Sequence, residues 1–331
     1  MNPHHAIELS SSALRASITP WGGYLTRLCV DDDRDLVLSH RHEAARILDQ
    51  QHLGCLVGRH AGRIRGGLLE LEGRRHQLPC NSADAHLHGG LTGFGAREWT
   101  PVDQGPSRLE LELFSPAGHE SYPGNLRARA RFSIVEETRL RLELTAVTDR
   151  TTLCNLTWHP YFNLSGHQAG HIGDHVVTID ADHYLPLARD HCPTGEVLDV
   201  TGTPFDLRRP ARMQAGMAAG DPQIVLAAGY DHFFPVRGEG LRRAARVVAP
   251  DERVAMELYT DQAGVQFYTG NGLHLPEGAR ADRGYRRHDG FCLEAQGYPD
   301  APNHRAFPDN DLRPGTIYRK IIEYRFEAPG R

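Results

Sequence analysis

Four short segments hold more polar residues than a buried core needs. They are Gly58-Arg59-His60-Ala61-Gly62-Arg63-Ile64, His86-Leu87-His88-Gly89-Gly90, Asn155 to Gly166 with Trp158-His159-Pro160-Tyr161-Phe162-Asn163 at its centre, and Leu293-Glu294-Ala295-Gln296 with Pro299-Asp300-Ala301-Pro302-Asn303-His304 behind it. A smaller fifth is Gly229-Tyr230-Asp231-His232. Imidazoles, carboxylates and guanidinium groups together suit proton transfer and the gripping of hydroxyls. A metal site is the first alternative. His86 and His88 would share one face of a strand, yet no His-Glu-x-x-His is present and no third ligand stands at an obvious spacing. One of the two is therefore expected to face a site and the other to be incidental, with no metal. No Gly-x-Ser-x-Gly elbow occurs, and no cysteine sits in a glycine-rich turn beside a histidine, so a covalent hydrolase is disfavoured. A two-carboxylate glycosidase using Glu294 and Asp231 stays open.

The elements that must position these residues are strands. Leu109 to Leu113, Leu126 to Phe132 and Leu140 to Leu144 alternate apolar and charged residues. That period puts one face on a core and the other in water, the antiparallel pattern. Glu136-Glu137-Thr138 reads as the turn between the last two. Further strands are expected at 175–179, 254–259, 265–268 and 317–326, and short helices at 42–51 and 210–219. No alternation of strands with helices is visible, so a doubly wound α/β fold is unsupported. The 34 glycines and 21 prolines are scattered, as turns between many strands require. The expectation is one all-β domain over residues 1–331.

Composition removes other classes. Lys320 is the one lysine among 37 basic residues. A Gly-Lys-Ser/Thr phosphate loop cannot be written, and Schiff-base chemistry would have to use that single side chain. The net charge of −5 lacks the basic field of a nucleic-acid binder. No apolar run reaches the ~20 residues of a membrane span. Met1 to Ser12 has no apolar secretory stretch, and six irregularly spaced cysteines read as free thiols, so a cytoplasmic location is expected.

Taken in order, the segments resemble the aldose 1-epimerase, or galactose mutarotase, family. The likeness runs from Trp21-Gly22-Gly23 to Leu312-Arg313-Pro314-Gly315. It includes Tyr122-Pro123-Gly124-Asn125, Tyr184-Leu185-Pro186, Pro193-Thr194-Gly195-Glu196, Gly202-Thr203-Pro204-Phe205-Asp206 and Tyr268-Thr269-Gly270-Asn271. The resemblance implies a large antiparallel β-sandwich, the galactose-mutarotase-like supersandwich, with few short helices and a sugar cleft. It implies Glu294 as general base and His159 as general acid, with Arg63, His88, Asp231 and Gln266 on the sugar. It implies interconversion of the α and β forms of a free aldose by ring opening and closure, without metal or organic cofactor. The partner is a small-molecule aldose, with neither nucleic acid nor membrane, on a monomer or homodimer.

Two positions depart from that pattern. Gly62 replaces the asparagine of the usual Asn-Arg-Ile, and Ala85 replaces an asparagine three residues before His88. Both would be sugar-binding or site-shaping amides, so relaxed selectivity among aldoses is expected, pentoses included. The rivals are a hexose-phosphate epimerase-like enzyme of the same fold, marked by extra arginines in the cleft, and a sugar-binding module without catalysis, marked by loss of Glu294 or His159. Trp158, Tyr161 and Phe162 are expected in the core.

Overall fold

The computed structural model describes residues 5–30 and 34–327. In Leu126–Val135 the alternation buries Leu126, Ala128, Ala130 and Phe132 and exposes Arg127, Arg129 and Arg131. This strand lies antiparallel between Arg108–Ser115 and Arg139–Thr148, whose leucines fill the same layer. Nine strands continue the sheet in the order Thr100–Gly105, Arg108–Ser115, Leu126–Val135, Arg139–Thr148, Tyr318–Glu327, Ala255–Thr260, Arg242–Val248, Val176–Ile179 and Ala211–Arg212. The strand Tyr318–Glu327 therefore sits mid-sheet, between strands from the two halves of the sequence. On the outer face Arg129 and Arg131 bridge to Glu110, and Arg127 and Arg129 to Glu112.

A second layer packs on the inner face. Asp231–Pro235, Gly264–Tyr268 and Cys292–Gln296 form a three-stranded antiparallel sheet. Its Leu293 and Ala295 join the core cluster that also contains Ile322, Tyr324 and Phe326, and Tyr324 Oη donates to Leu293 O at 3.3 Å. Two short pairs, Arg63–Arg65 with Ala85–Leu87 and Leu56–Val57 with Thr157–Trp158, sit beside it. All five polar segments of the sequence thus lie on or next to small strands.

The helices are shorter than the sequence suggests. The 42–51 segment gives Glu43–Ile47, and the 210–219 segment gives Met213–Met217. A third helix, Pro222–Ala227, was not expected; Asp221 caps it by accepting the Gln223 N–H, with Pro222 at the first helical position. The 136–138 turn forms with Glu136 and Glu137 both at positive φ, 46° and 62°. The tip is tied down: Ser11 Oγ donates to Glu137 O at 2.6 Å and the Ser12 N–H to Glu137 Oε2 at 3.1 Å. All six cysteines are free.

Candidate active site

A cleft of about 220 Å³ opens over the three-stranded sheet, and its walls include Arg63, His88, His159, Asp231, Gln266 and Glu294. All six residues named from the sequence therefore meet in one place. Alternation along Cys292–Gln296 explains how. Leu293 and Ala295 enter the core, which turns Cys292, Glu294 and Gln296 to the opposite face. Gln266 faces Glu294 across the ladder. Gln266 Nε2 donates to Asp231 Oδ1 at 2.8 Å, and Arg63 approaches Asp231 Oδ2 at 3.6 Å.

His159 is fixed by its backbone and by its ring. Its N–H donates to Cys55 O, and its carbonyl accepts the Gly54 N–H, both at 3.0 Å. The imidazole stacks on Tyr161 with centroids 5.1 Å apart. Nδ1 lies 3.5 Å from Cys292 Sγ, and Nε2 lies 3.4 Å from Glu294 Oε1. Cys292 is thus beside a histidine in space, a neighbour that sequence spacing did not show. Burial pushes the Glu294 carboxyl well up, helped by the Asp231 charge and opposed by Arg63. Burial, with His52 nearby, pushes His159 down to about 3. Both groups favour their neutral forms, so the pair holds one proton between them over a wide pH range.

The His-Gly-Gly turn explains His88. The strand ends at Leu87, and His88 takes a left-handed φ of 52°. Gly89 follows because a Cβ there would stand 1.8 Å from Gly58 O. His86 and His88 therefore diverge rather than share a face. His86 is buried, with Nε2 2.7 Å from Tyr122 Oη and Nδ1 2.7 Å from Pro79 O. His88 Nδ1 accepts the Gly62 N–H at 3.3 Å, and its ring packs on His52 and His159. Arg63 is held through its strand: Arg63 O accepts the Asp300 N–H at 2.8 Å, and Asp300 Oδ1 accepts the Arg65 N–H at 2.9 Å.

The family profile described as aldose 1-epimerase covers residues 5–325 of the chain. The chain belongs to the aldose 1-epimerase family. It is 38% identical to a galactose mutarotase from Bos taurus over 97% of this chain and 93% of that one. It is 32% identical to an aldose 1-epimerase from Escherichia coli strain K12, over 98% and 96% of the two chains. The crystal structure of a GalM/aldose epimerase homologue from C. elegans superposes with a TM-score of 0.90 at 26% identity, over 98% of each chain. The protein is accordingly an isomerase, an aldose 1-epimerase, and the covalent-hydrolase and glycosidase readings fall.

Within this aldose 1-epimerase, several sequence expectations need correcting. Ala85 is buried opposite Arg65 in the strand pair and is not among the residues that line the cleft, so only Gly62 bears directly on the sugar site. Gly62 has φ +78°, and a Cβ there would lie 2.8 Å from Pro299 Cβ. The missing amide is thus coupled to Pro299. Tyr161 is buried in a core cluster as expected, yet it also lines the cleft under His159. The fold also brings together a donor trio that spacing hid and that leaves His86 out: donor atoms of His88, His159 and Glu294 lie within 4.8 Å of one another. However, burial keeps His88 neutral, and its Nδ1 is occupied by the Gly62 N–H. The remaining proton then sits on Nε2, so His88 in this tautomer offers the cleft a hydrogen-bond donor.

His52, Tyr268 and Gln296 line the cleft without a role assigned to them from the sequence. His52 fell beside a segment read as helix. The chain leaves that helix at Ile47, and buried Asp49 folds it back by accepting the Gln51 and Leu53 N–H groups. Tyr268 and Gln296 could have been found by counting two residues along the strands from Gln266 and Glu294.

Proposed function

We propose that Glu294 and His159 act as the proton-transfer pair for a free, uncharged aldose, galactose among them. The observation that carries this reading is the 3.4 Å approach of His159 Nε2 to Glu294 Oε1 in an enclosed cleft. With sugar bound, the shared proton passes from Glu294 to His159 Nε2; the carboxylate then takes the proton of the C1 hydroxyl and the imidazolium gives its Nε2 proton to the ring oxygen. The C1–O5 bond breaks, the aldehyde forms, and the pair is left neutral. Rotation about C1–C2 and reversal of both transfers close the other anomer. Burial stabilises the neutral pair that accompanies the open chain. Proton transfer alone completes the cycle, so no metal or cofactor is required. Arg63, His88, Asp231 and Gln266 hold the hydroxyls, and a cytoplasmic location fits the free thiols.

Two observations favour a free monosaccharide over the rival hexose phosphate. Arg63 is the only arginine among the described residues that line the cleft, and it faces Asp231. The volume of about 220 Å³ is also below the roughly 300–1,000 Å³ of drug-sized sites. Polarimetry on anomerically pure galactose, glucose, arabinose and xylose is the test. Because Gly62 offers no side chain, pentoses should be turned over within about tenfold of galactose. A hundredfold preference for galactose would remove the relaxed-selectivity claim, and inertness toward every aldose would remove the reaction.

The pH profile follows from the pair. Activity needs its one-proton state. A second proton must enter against the burial that holds His159 down to about 3. The acid limb of kcat/KM should therefore lie well below 6.5, and activity should fall on the alkaline side as the pair loses its only proton. An acid limb with an apparent pKa near 6.5 would show an ordinary, solvated histidine instead.

A further inference from the structure

Gln296 ends the strand that carries Glu294, is 0% exposed, and lines the cleft. Neither Nε2 nor Oε1 of its amide has a hydrogen-bond partner among the described residues. A buried amide with both ends unpaired is rare and costly, and it calls for an explanation. The register supplies one. Across the ladder Gln296 faces Gly264, which has no side chain to pair with it. On the cleft side its Nε2 lies 3.4 Å from where a Cβ of Gly62 would stand. The amide thus occupies the region left open by the departure at residue 62.

We propose that Gln296 binds a ring hydroxyl of the aldose on the side of the ring away from C1, and so determines which sugars are accepted. The proposal rests on the reading of Glu294 as the base at the C1 hydroxyl. Two residues along a strand are about 6.6 Å apart and point to the same face. That spacing carries the amide from the anomeric hydroxyl to the C3 or C4 hydroxyl. Glu294 Oε2 is also buried and unpartnered, so the two side chains set three unpaired polar atoms in a row along the floor. Glu294, at 2% exposure, is nearly as enclosed as Gln296, and both line the same cleft, so one sugar in it faces both. The C6 group is not read by this row, which is compatible with pentose turnover.

The test compares galactose with its 3-deoxy, 4-deoxy and 6-deoxy analogues, in the wild type and in Gln296→Met. In the wild type, kcat/KM should fall about 10- to 100-fold for the 3-deoxy or the 4-deoxy sugar and little for the 6-deoxy sugar. In Gln296→Met, galactose should lose a similar factor, mainly through KM, and the penalty for the deoxy sugar should vanish. Its Tm should hold or rise, because an apolar chain of like size removes the unpaired amide. A wild type with flat deoxy selectivity but intact galactose turnover overturns the role of Gln296 alone, whether or not the variant folds. A lowered Tm with equal losses on every sugar overturns it too, since Gln296 would then be structural. A wild type inert on all aldoses overturns the base assignment and this proposal with it.

Discussion

Glu294→Gln is expected to lower kcat by roughly 10²–10⁴ while sugar affinity stays nearly unchanged. The amide matches the carboxylate in shape and can still meet the C1 hydroxyl, but it cannot take its proton. The loss belongs to the transition state and so falls on kcat, equivalent to about 3–5 kcal/mol of barrier. Folding should not suffer, because the carboxyl already resists ionisation in its buried setting. His159→Asn should act similarly, and the double variant should lose less than the product of the two, because both protons move through one pair. The measurement is the initial rate of optical-rotation change, corrected for the spontaneous reaction, with affinity from calorimetry. Retention of more than a third of wild-type kcat in Glu294→Gln would assign the base elsewhere.

The second large effect concerns Arg59, which is 1% exposed. Its guanidinium donates to Ser115 Oγ, Ser115 O, Pro116 O, Pro123 O, Gly124 O and Thr152 Oγ1 at 2.8–3.1 Å. No carboxylate pairs with it among the described residues, and burial pulls it down to about 10. It acts as a hub that gathers the 115–124 loop and Thr152 around one cation. Arg59→Met would take a donor from each of those acceptors; Pro116 O keeps the His119 N–H and Ser115 Oγ keeps the His119 ring, and those left unpaired cost ~1–3 kcal/mol each, less where water enters. A net loss of about 3–5 kcal/mol is expected, a Tm fall of roughly 4–7 °C for a chain of this length. Arg59→Lys should recover little of it, because one ammonium cannot span a fork of five donors. Calorimetric melting of both variants decides, and a Tm within 3 °C of wild type would show the hub to be dispensable.

Arg59 and Glu294 also show what a sequence can and cannot convey. The strand ladder was legible, since Leu126, Ala128, Ala130 and Phe132 repeat at the period the sheet imposes. The six site residues were legible through the family likeness of their segments. Arg59 lies in one of those segments, yet nothing in its type distinguishes a buried hub from a solvated arginine. Glu323 is hidden for the same reason: it is 0% exposed between Arg141 and Arg325, in a strand whose pattern alone would place it in water. Burial of a charge is decided by partners distant in sequence, and the local period carries no trace of them. Asp49 and His52 failed differently: the segment read as helix stops at Ile47, Asp49 then turns the chain by accepting the Gln51 and Leu53 N–H groups, and His52 lies just beyond that segment.

The place of Tyr318–Glu327 in the large sheet bears on how the protein is made. A nascent chain emerging from the ribosome can pair Arg108–Ser115, Leu126–Val135 and Arg139–Thr148 early, and Arg242–Val248 with Ala255–Thr260 later. Until residue 318 emerges, Arg139–Thr148 and Ala255–Thr260 each present an open edge to the cell. Such edges invite pairing with other chains. The sheet closes only when one late strand slots between two waiting halves, so synthesis that stalls before it leaves two adhesive half-sheets and, since Tyr324 bonds the strand bearing Glu294, an unsupported floor for the catalytic cleft.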